Sequence, residues 1–205
     1  MKRFFLLLAS LALAVAANAE VQTFKIDPVH SSAGFSVRHL FSKFPGSFTK
    51  VTGSIVYDDA NPAASSVEAS IDLASLNTAN EKREADLKEP SFFDAVKFPT
   101  ITFKSKSWTK TGADTFDVKG DLTMKGVTKE VSLKVTLLGI GAGMGPGAVA
   151  SGWEASAVLN KSDYGVTGPA GLGKVLGDEV TVSIAVEAKY KKDQPAPAAA
   201  PAKQG

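Results

Sequence analysis

Few side chains of this protein are suited to catalysis or metal binding. The sequence has no cysteine and 2 histidines, His30 and His39, so it offers no thiol nucleophile and no thiolate ligand for a metal. A predicted strand separates the two histidines, whereas zinc-binding histidines are usually closely spaced on a helix or hairpin. The spacing therefore predicts no metal site, and no cofactor is expected.

Asp27, His30 and Ser31 carry the residue types of a hydrolytic triad. All of them fall within one short extended turn, and no nucleophile elbow surrounds the serine. Catalysis is therefore not predicted. The glycine-rich runs at 139–147 and 168–173 have no following helix and no βαβ context, so they predict loops and not a dinucleotide-binding site.

The first residues of the chain have the composition of a secretory signal peptide. A short basic start precedes an apolar run over 4–16 and the small-residue site Ala17-Asn18-Ala19. The run is too short to span a bilayer and no stop-transfer segment follows it. We therefore expect residues 1–19 to be removed after Ala19, leaving a periplasmic or secreted protein without a stable membrane anchor.

The rest of the chain predicts one domain and a tail. Residues 193–205 are rich in proline and alanine, which predicts disorder, and 20–192 has the length of a single domain. The sequence holds 23 basic and 21 acidic residues, and removal of Lys2 and Arg3 with the signal peptide leaves 21 of each. This balance, without a basic cluster, argues against nucleic acid as a partner.

The fold class follows from a strict alternation of apolar and polar residues. From Val67 to Leu73 and from Phe116 to Met124, nearly every second residue is apolar and its neighbours are polar, which indicates strands with one buried face. The same alternation occurs in 23–27, 33–38, 51–57, 100–104, 131–137, 153–159 and 180–188. About eight or nine such strands predict an all-β antiparallel fold, either a sandwich or a closed barrel.

Two local patterns refine this prediction. Lys125-Gly126 lies between two strong strands and predicts a tight hairpin. Several inward positions hold small residues, namely Gly53, Ala69, Gly120, Ala155 and Ala157. These residues would leave space for one small ligand inside an eight-stranded barrel, unless large neighbours such as Phe103 fill that space, and the pattern leaves both alternatives open.

The segment 78–99 is the one stretch of the predicted domain that reads as helix. Thr78 to Glu81 has the spacing of a capping box, and Pro90 cannot continue a helix. The segment is too polar for a core helix, and Phe92 and Phe93 follow it. We predict a short surface helix whose phenylalanines either plug a sheet edge or barrel end, or form a lid over a cavity.

Several blocks, read in order along the chain, resemble one known family. They include Ile26 to Leu40, Asn80-Glu81-Lys82-Arg83, Phe98 to Phe103, Gly120 to Thr128 and Asn160 to Gly165. The ordered set covers nearly the whole predicted domain. It resembles the YceI family of secreted bacterial polyisoprenoid-binding proteins.

The resemblance implies a lipocalin-like antiparallel β-barrel of about eight strands with one short helix packed on it. Its apolar pore would bind, store or transport a long-chain isoprenoid, polyprenyl or quinone-like, without catalysis. The expected wall residues are Phe35, Val37, Phe92, Phe93, Phe103, Phe116, Leu122 and Trp153. A head group would lie at the mouth, where the polar candidates are Arg38, His39, Arg83 and Asp86.

Two alternatives to a lipid-binding protein stay open at this point. One is an interaction or stress-related protein whose barrel is filled by its own side chains. The other is an enzyme acting on lipids, which would require Asp27, His30 and Ser31 to meet at the cavity. The oligomeric state is open as well, with a homodimer among the options.

Overall fold

The computed structural model describes residues 21–191, and the predicted signal peptide and tail lie outside the described residues. Eleven strands and one α-helix lie within that part of the chain, where no helix is long and apolar enough to cross a membrane. The strands are β1 Gln22–Ile26, β2 Ser32–His39, β3 Ser42–Phe48, β4 Val51–Tyr57, β5 Ser66–Asp72, β6 Leu76–Asn77, β7 Thr100–Lys110, β8 Thr115–Met124, β9 Val127–Ala142, β10 Ala148–Asn160 and β11 Leu176–Lys191. The helix α1 is Glu81–Lys88.

The first six strands combine into three long ones. β1 and β2 both run antiparallel to β11, with Ile26 opposite Ala188 and Ser32 opposite Ala185. β4 and β3 pair with β1 and β2 respectively, and β5 and β6 pair with β4 and β3. Strands that are consecutive in the chain thus have the same neighbours in the sheet. β1 with β2, β3 with β4, and β5 with β6 each form one long strand with a short irregular interruption.

The sheet closes on itself. After β5, the strands β7, β8, β9, β10 and β11 pair in sequence order, and β11 returns to β1. The result is an antiparallel barrel of eight long strands, which confirms the predicted fold class and decides between barrel and sandwich. The pairing of β1 with β11 joins the described strands into one ring.

The two faces of the strands differ as the alternation predicts. Inward residues such as Phe24, Val118 and Ala188 are fully buried. On the outer face, charged residues of neighbouring strands lie opposite each other and form ion pairs, including Glu68 with Lys104 at 2.7 Å. Such cross-strand pairs support the register of the sheet, while the apolar face is left to the interior.

Lys125 and Gly126 form the predicted two-residue hairpin between β8 and β9. Their φ angles are both positive, 51° and 76°, as a type I′ turn requires. The predicted loop over 139–147 is wrong in its first part, because Gly139, Ile140 and Gly141 pair with β10. Ladder hydrogen bonds outweigh the low strand propensity of glycine there, and the connection itself is confined to 143–147.

The predicted helix is present, but its cap lies two residues later than predicted. Asn80 is the N-cap, and its side chain accepts a hydrogen bond from the backbone N–H of Arg83 at 2.9 Å. Glu84 Oε1 accepts the backbone N–H groups of Thr78 at 2.6 Å and Asn80 at 3.3 Å. Both Thr and Asn are good caps, so composition alone did not distinguish them. The helix ends before Pro90, as predicted.

Candidate binding cavity

An apolar cavity of about 220 Å³ lies inside the barrel. Its wall consists of the inward-facing residues of the strands, such as Val131, Leu133 and Val135 of β9. Among the described residues that line it, Thr102, Lys161 and Tyr164 carry polar groups, together with the indole N–H groups of two tryptophans. The cavity is therefore suited to an apolar ligand.

Aromatic side chains close one end of the cavity. Trp108 and Trp153, which we call the floor, meet edge to face with ring centroids 5.9 Å apart. Phe116 and Tyr57 do not line the cavity and pack against the floor from the other side. Edge-to-face contacts contribute roughly 0.5–1.5 kcal/mol each beyond the burial of area, so these contacts stabilise the aromatic cluster at this end.

The polar atoms of this aromatic cluster differ in their hydrogen-bond partners. Trp153 Nε1 donates to Ser151 Oγ at 2.9 Å, whereas Trp108 Nε1 is buried without a hydrogen-bond partner among the described residues. The Tyr57 hydroxyl donates to Asp59 at 3.1 Å. Burial, followed by the contact with Asp59, raises the pKa of Tyr57 to about 12. The tyrosine is therefore neutral at physiological pH.

The opposite end is covered by α1 and the segment that follows it. Leu87, Phe92 and Phe93 line the cavity, and the Phe93 ring meets the Phe48 ring of β3 with centroids 5.8 Å apart. The backbone N–H of Gly168 donates to the carbonyl of Ser91 at 2.8 Å, which ties this segment to the loop before β11. Phe92 and Phe93 thus plug one end of the barrel and also form part of the cavity wall. Both of the predicted alternatives therefore apply.

The small residues that were predicted to face inward fall into two groups: some leave open space, and others face a large side chain that fills it. Ala69, Ala155 and Ala157 line the cavity. The space beside Gly120 is instead filled by the ring of Phe103, which a Cβ at that position would overlap. Phenylalanine rings therefore fill part of the interior, and the alanines leave the remaining space open.

The family model for YceI-like domains matches residues 24–188. The chain belongs to the YceI family. A UPF0312 protein of Vibrio cholerae is 37% identical over 162 residues, which cover 78% of this chain and 85% of the relative.

Solved structures share the fold of this YceI domain. BcnA of Burkholderia cenocepacia superposes with a TM-score of 0.72 at 24% identity, covering 79% of this chain and 98% of BcnA. A domain of Saccharophagus degradans, described as a polyisoprenoid binding domain, superposes with a TM-score of 0.61 at 16% identity. The overlap covers 82% of this chain and 98% of that domain.

Seven of the eight predicted wall residues line the cavity of the YceI domain. They are Phe35, Val37, Phe92, Phe93, Phe103, Leu122 and Trp153. The eighth, Phe116, is 1% exposed and lies behind the floor, with its ring centroid 5.6 Å from that of Trp108. The contact of these residues with a ligand stays a prediction.

The four predicted head-group residues are not among those that line the cavity. Arg38 and His39 are exposed near the β2–β3 hairpin, where Arg38 Nη1 donates to the carbonyl of Leu40 at 3.0 Å. Asp86 is exposed and pairs with Lys82 at 3.1 Å.

Arg83, the last of these candidates, connects α1 to the barrel of the YceI domain. Its Nε and Nη2 donate to the hydroxyl and carbonyl of Thr78 at 3.1 and 3.0 Å. Its guanidinium lies over the Phe44 ring, 4.9 Å from the centroid. These contacts are structural, and a role for any of the four toward a head group stays a prediction.

Sequence reasoning assigned no role to Lys161, Tyr164 or Trp108, all of which line the cavity. A signal for Lys161 was available, because the inward residues of β10 are odd-numbered from Trp153 to Leu159 and the next odd position is 161. No comparable signal existed for Trp108. A register shift between Ser105 and Ser107 in β7 changes which residues face inward, and a β-bulge is not visible in the alternation.

The residues of the hydrolytic alternative lie on the turn between β1 and β2 and do not line the cavity. His30 Nδ1 is 2.9 Å from Asp27 Oδ2. The Ser31 hydroxyl, however, donates to the carbonyl of Glu187 at 3.2 Å and accepts its backbone N–H at 3.1 Å. The serine thus fastens the turn to β11, and this geometry does not form a catalytic triad in the YceI domain.

Asp27, His30 and Glu187 also form a cluster whose potential ligand atoms lie within 4.8 Å of one another. Lys189 Nζ lies between the two carboxylates, 2.6 Å from Asp27 and 2.8 Å from Glu187. Hydrogen bonds from Lys189 and then from His30 hold the pKa of Asp27 well below its usual range. An ammonium group already balances these carboxylates, so the cluster acts as an ion-pair network between the turn and β11.

Proposed function

We propose that this YceI domain binds one single-chain isoprenoid lipid, polyprenyl or quinone-like, in the barrel cavity and performs no catalysis on it. The observation that carries the proposal is the almost entirely apolar lining of a cavity enclosed by a closed barrel. Removal of apolar surface from water supplies about 0.8 kcal/mol for each buried methylene. A long hydrocarbon chain therefore binds such a cavity without strong polar anchors.

The small volume of the cavity favours a single chain over a bulky molecule. Its volume of about 220 Å³ is below the roughly 300–1,000 Å³ of drug-sized binding sites. The floor stops it at one end, and Phe92 and Phe93 cover the other. The Saccharophagus degradans domain with the same fold is described as polyisoprenoid-binding, and we extend that ligand class to this protein as part of the proposal.

The predicted signal peptide over 1–19 gives the proposal its cellular setting. An exported protein that encloses a water-insoluble chain can store that chain or carry it across an aqueous compartment. We therefore place the proposed carrier in the periplasm or the medium. Amino-terminal sequencing of the exported protein tests this part of the proposal, with Glu20 as the expected first residue.

Native mass spectrometry of the full chain, purified from the exported fraction of cells that make it, tests the proposed function. Solvent extraction and lipid analysis of the same sample identify whatever is released. The expected result is one bound lipid per protein with an isoprenoid chain. A protein that carries no lipid, and stays unbound after incubation with prenols or quinones, would overturn the proposal and favour a barrel filled by its own side chains.

A further inference from the structure

The hairpin between β2 and β3 ends in two exposed apolar residues, which we call the hairpin tip. Leu40 and Phe41 form the turn between the paired residues His39 and Ser42. Leu40 is 45% exposed and Phe41 is fully exposed. Leu40 also has a positive φ of 50°, a backbone conformation that glycine and asparagine adopt more readily than leucine. The requirements of folding therefore do not account for two apolar residues at this turn.

Directly behind the hairpin tip, two cations lie opposite each other on the outer face of the barrel. Arg38 of β2 pairs in register with Lys43 of β3, and both are exposed. Their chain neighbours Val37 and Phe44 line the cavity, so the two cations point outward. Like charges directly opposite destabilise a sheet, and residues 32–48 contain no acidic residue to balance them. An external anionic surface would relieve this repulsion.

The hairpin tip lies at the barrel end that is covered by α1 and the segment after it. The backbone N–H of Leu40 donates to the carbonyl of Val175 at 2.7 Å. In the same loop before β11, the backbone N–H of Gly168 donates to the carbonyl of Ser91 at 2.8 Å. Hydrogen bonds thus connect the hairpin tip, through this loop, to the segment that covers the cavity. A surface bound by the hairpin tip would therefore lie next to that end of the cavity.

We propose that the hairpin tip inserts into the surface of an anionic lipid bilayer and docks the barrel there reversibly. Arg38 and Lys43 lie two residues behind the turn, which places them about 7 Å from it at the rise of a strand. Apolar faces that bind a membrane surface enter the boundary of head groups and acyl chains by roughly 5–10 Å. Lysine and arginine at the surface are attracted by anionic head groups. The hairpin therefore presents its apolar and its basic residues at the depths where a bilayer accepts each.

The small size of the hairpin tip favours a bilayer over a protein partner. A stable protein interface buries about 800 Å² on each partner, whereas one aromatic side chain supplies roughly 150–250 Å². In a symmetric contact, a second copy of the chain would also bring a second pair of cations against the first. The inference goes beyond the proposed function, because it concerns the outer surface of the barrel and its test requires no ligand in the cavity.

The absence of cysteine from the sequence allows a fluorescent probe to be attached at a single site. We compare Phe41→Cys with Met144→Cys, each labelled with the environment-sensitive fluorophore NBD. Met144 is 91% exposed in the loop between β9 and β10 at the opposite barrel end, where residues 138–152 carry no charge. With vesicles of equal parts phosphatidylcholine and phosphatidylglycerol, the probe at position 41 is expected to brighten and shift to the blue, and the probe at 144 to stay unchanged. Equal responses at both positions, or no response at 41, would overturn the inference.

Co-sedimentation with the same vesicles tests the apolar and the basic residues separately. Phe41→Ser is expected to weaken binding about 10-fold or more, because the phenyl ring no longer leaves water, while Met144→Ser binds as the natural protein does. Arg38→Gln combined with Lys43→Gln is expected to weaken binding about 10- to 30-fold and to remove the preference over pure phosphatidylcholine vesicles. A dimer that Phe41→Ser dissociates, with no vesicle binding by the natural protein, would overturn the inference and assign the hairpin tip to a contact between two copies.

Discussion

The hydroxyl of Ser151 is the hydrogen-bond partner of a buried indole N–H at the floor of the cavity. Ser151 is 1% exposed, accepts the N–H of Trp153 at 2.9 Å and donates to the carbonyl of Ala188 at 3.3 Å. A buried donor left without a partner costs about 1–3 kcal/mol. We therefore expect Ser151→Ala to lower the free energy of unfolding by about that amount, as measured by urea denaturation followed through tryptophan fluorescence.

Ser156→Ala is the matched control for this prediction. Ser156 lies on the same strand with its side chain exposed on the outer face, where substitutions change stability by about 0.5 kcal/mol or less. Equal effects of the two variants would contradict the role assigned to the Ser151 hydroxyl.

At the residue level, the sequence carries a direct signal for the inward apolar residues and none for the direction of the polar ones. Alternation identifies inward residues directly, so Phe35, Leu122 and Trp153 were predicted to face the interior, where they lie. Polar residues near strand ends carry no such signal, because their direction depends on turns and bulges. Arg38, predicted at the mouth, donates to the carbonyl of Leu40 and does not line the cavity, and its role toward a ligand stays a prediction.

Glu84 is the residue that joins α1 to the chain preceding it. Its carboxylate accepts the backbone N–H groups of Thr78 and Asn80, and the first of these bonds is the main cause of its lowered pKa. The stabilisation is therefore complete above the ordinary value of 4.5 and is lost as the pH falls through the lowered pKa. We expect Glu84→Gln to lower Tm at pH 7, and the difference from the natural protein to vanish in strong acid.

Glu81→Gln serves as the control because Glu81 lies in the same first turn and is exposed. Its substitution removes an equal charge without removing the carboxylate that Thr78 and Asn80 share. Thermal unfolding of both variants over a series of pH values provides the comparison. A Tm difference for Glu84→Gln that is independent of pH would contradict the assignment.

At the level of elements, the existence of α1 and of most strands was predictable and their ends were not. Pro90 fixes the end of the helix by steric exclusion, which is a property of one residue. The start of the helix depends on which of two suitable caps the preceding turn can reach, and Ala79 has a positive φ of 55° in that turn. The length of β9 depends on its partner β10, which local sequence does not identify.

Ala155 and Ala157 are two of the small residues beside the open part of the barrel interior. Both line the cavity on β10, and an indole at either position would fill much of its volume of about 220 Å³. We expect Ala155→Trp and Ala157→Trp to retain the fold and lose bound lipid, as measured by native mass spectrometry. Some loss of stability accompanies them, because overpacking costs about 1–3 kcal/mol.

Ala185→Trp is the control for this pair. Ala185 is exposed on β11 between the inward residues Ile184 and Val186, so the same substitution there adds an indole to the outer surface. It is expected to keep the lipid content of the natural protein. Unchanged lipid content in all three variants would show that lipid binds elsewhere.

For the whole molecule, the sequence predicted the class of fold better than its connections. The alternation indicated about eight or nine strands, and the barrel has eight long strands built from eleven segments. The interruptions between β1 and β2 or β3 and β4 are short, and only long-range pairing shows that their halves continue one another. The choice of barrel over sandwich depends on the pairing of β1 with β11, between distant parts of the chain.

The floor has a further consequence for the proposed function, because a cavity that is closed at one end limits the length of the chain it can hold. A chain that lies in the cavity gains contact area with each added prenyl unit until its tip reaches Trp108 and Trp153. Affinity measured across geraniol, farnesol, geranylgeraniol and longer prenols is therefore expected to rise and then level off. The prenol length at which the affinity levels off would indicate how many prenyl units the barrel holds. A continued rise in affinity with length would mean that Trp108 and Trp153 move to admit a longer chain.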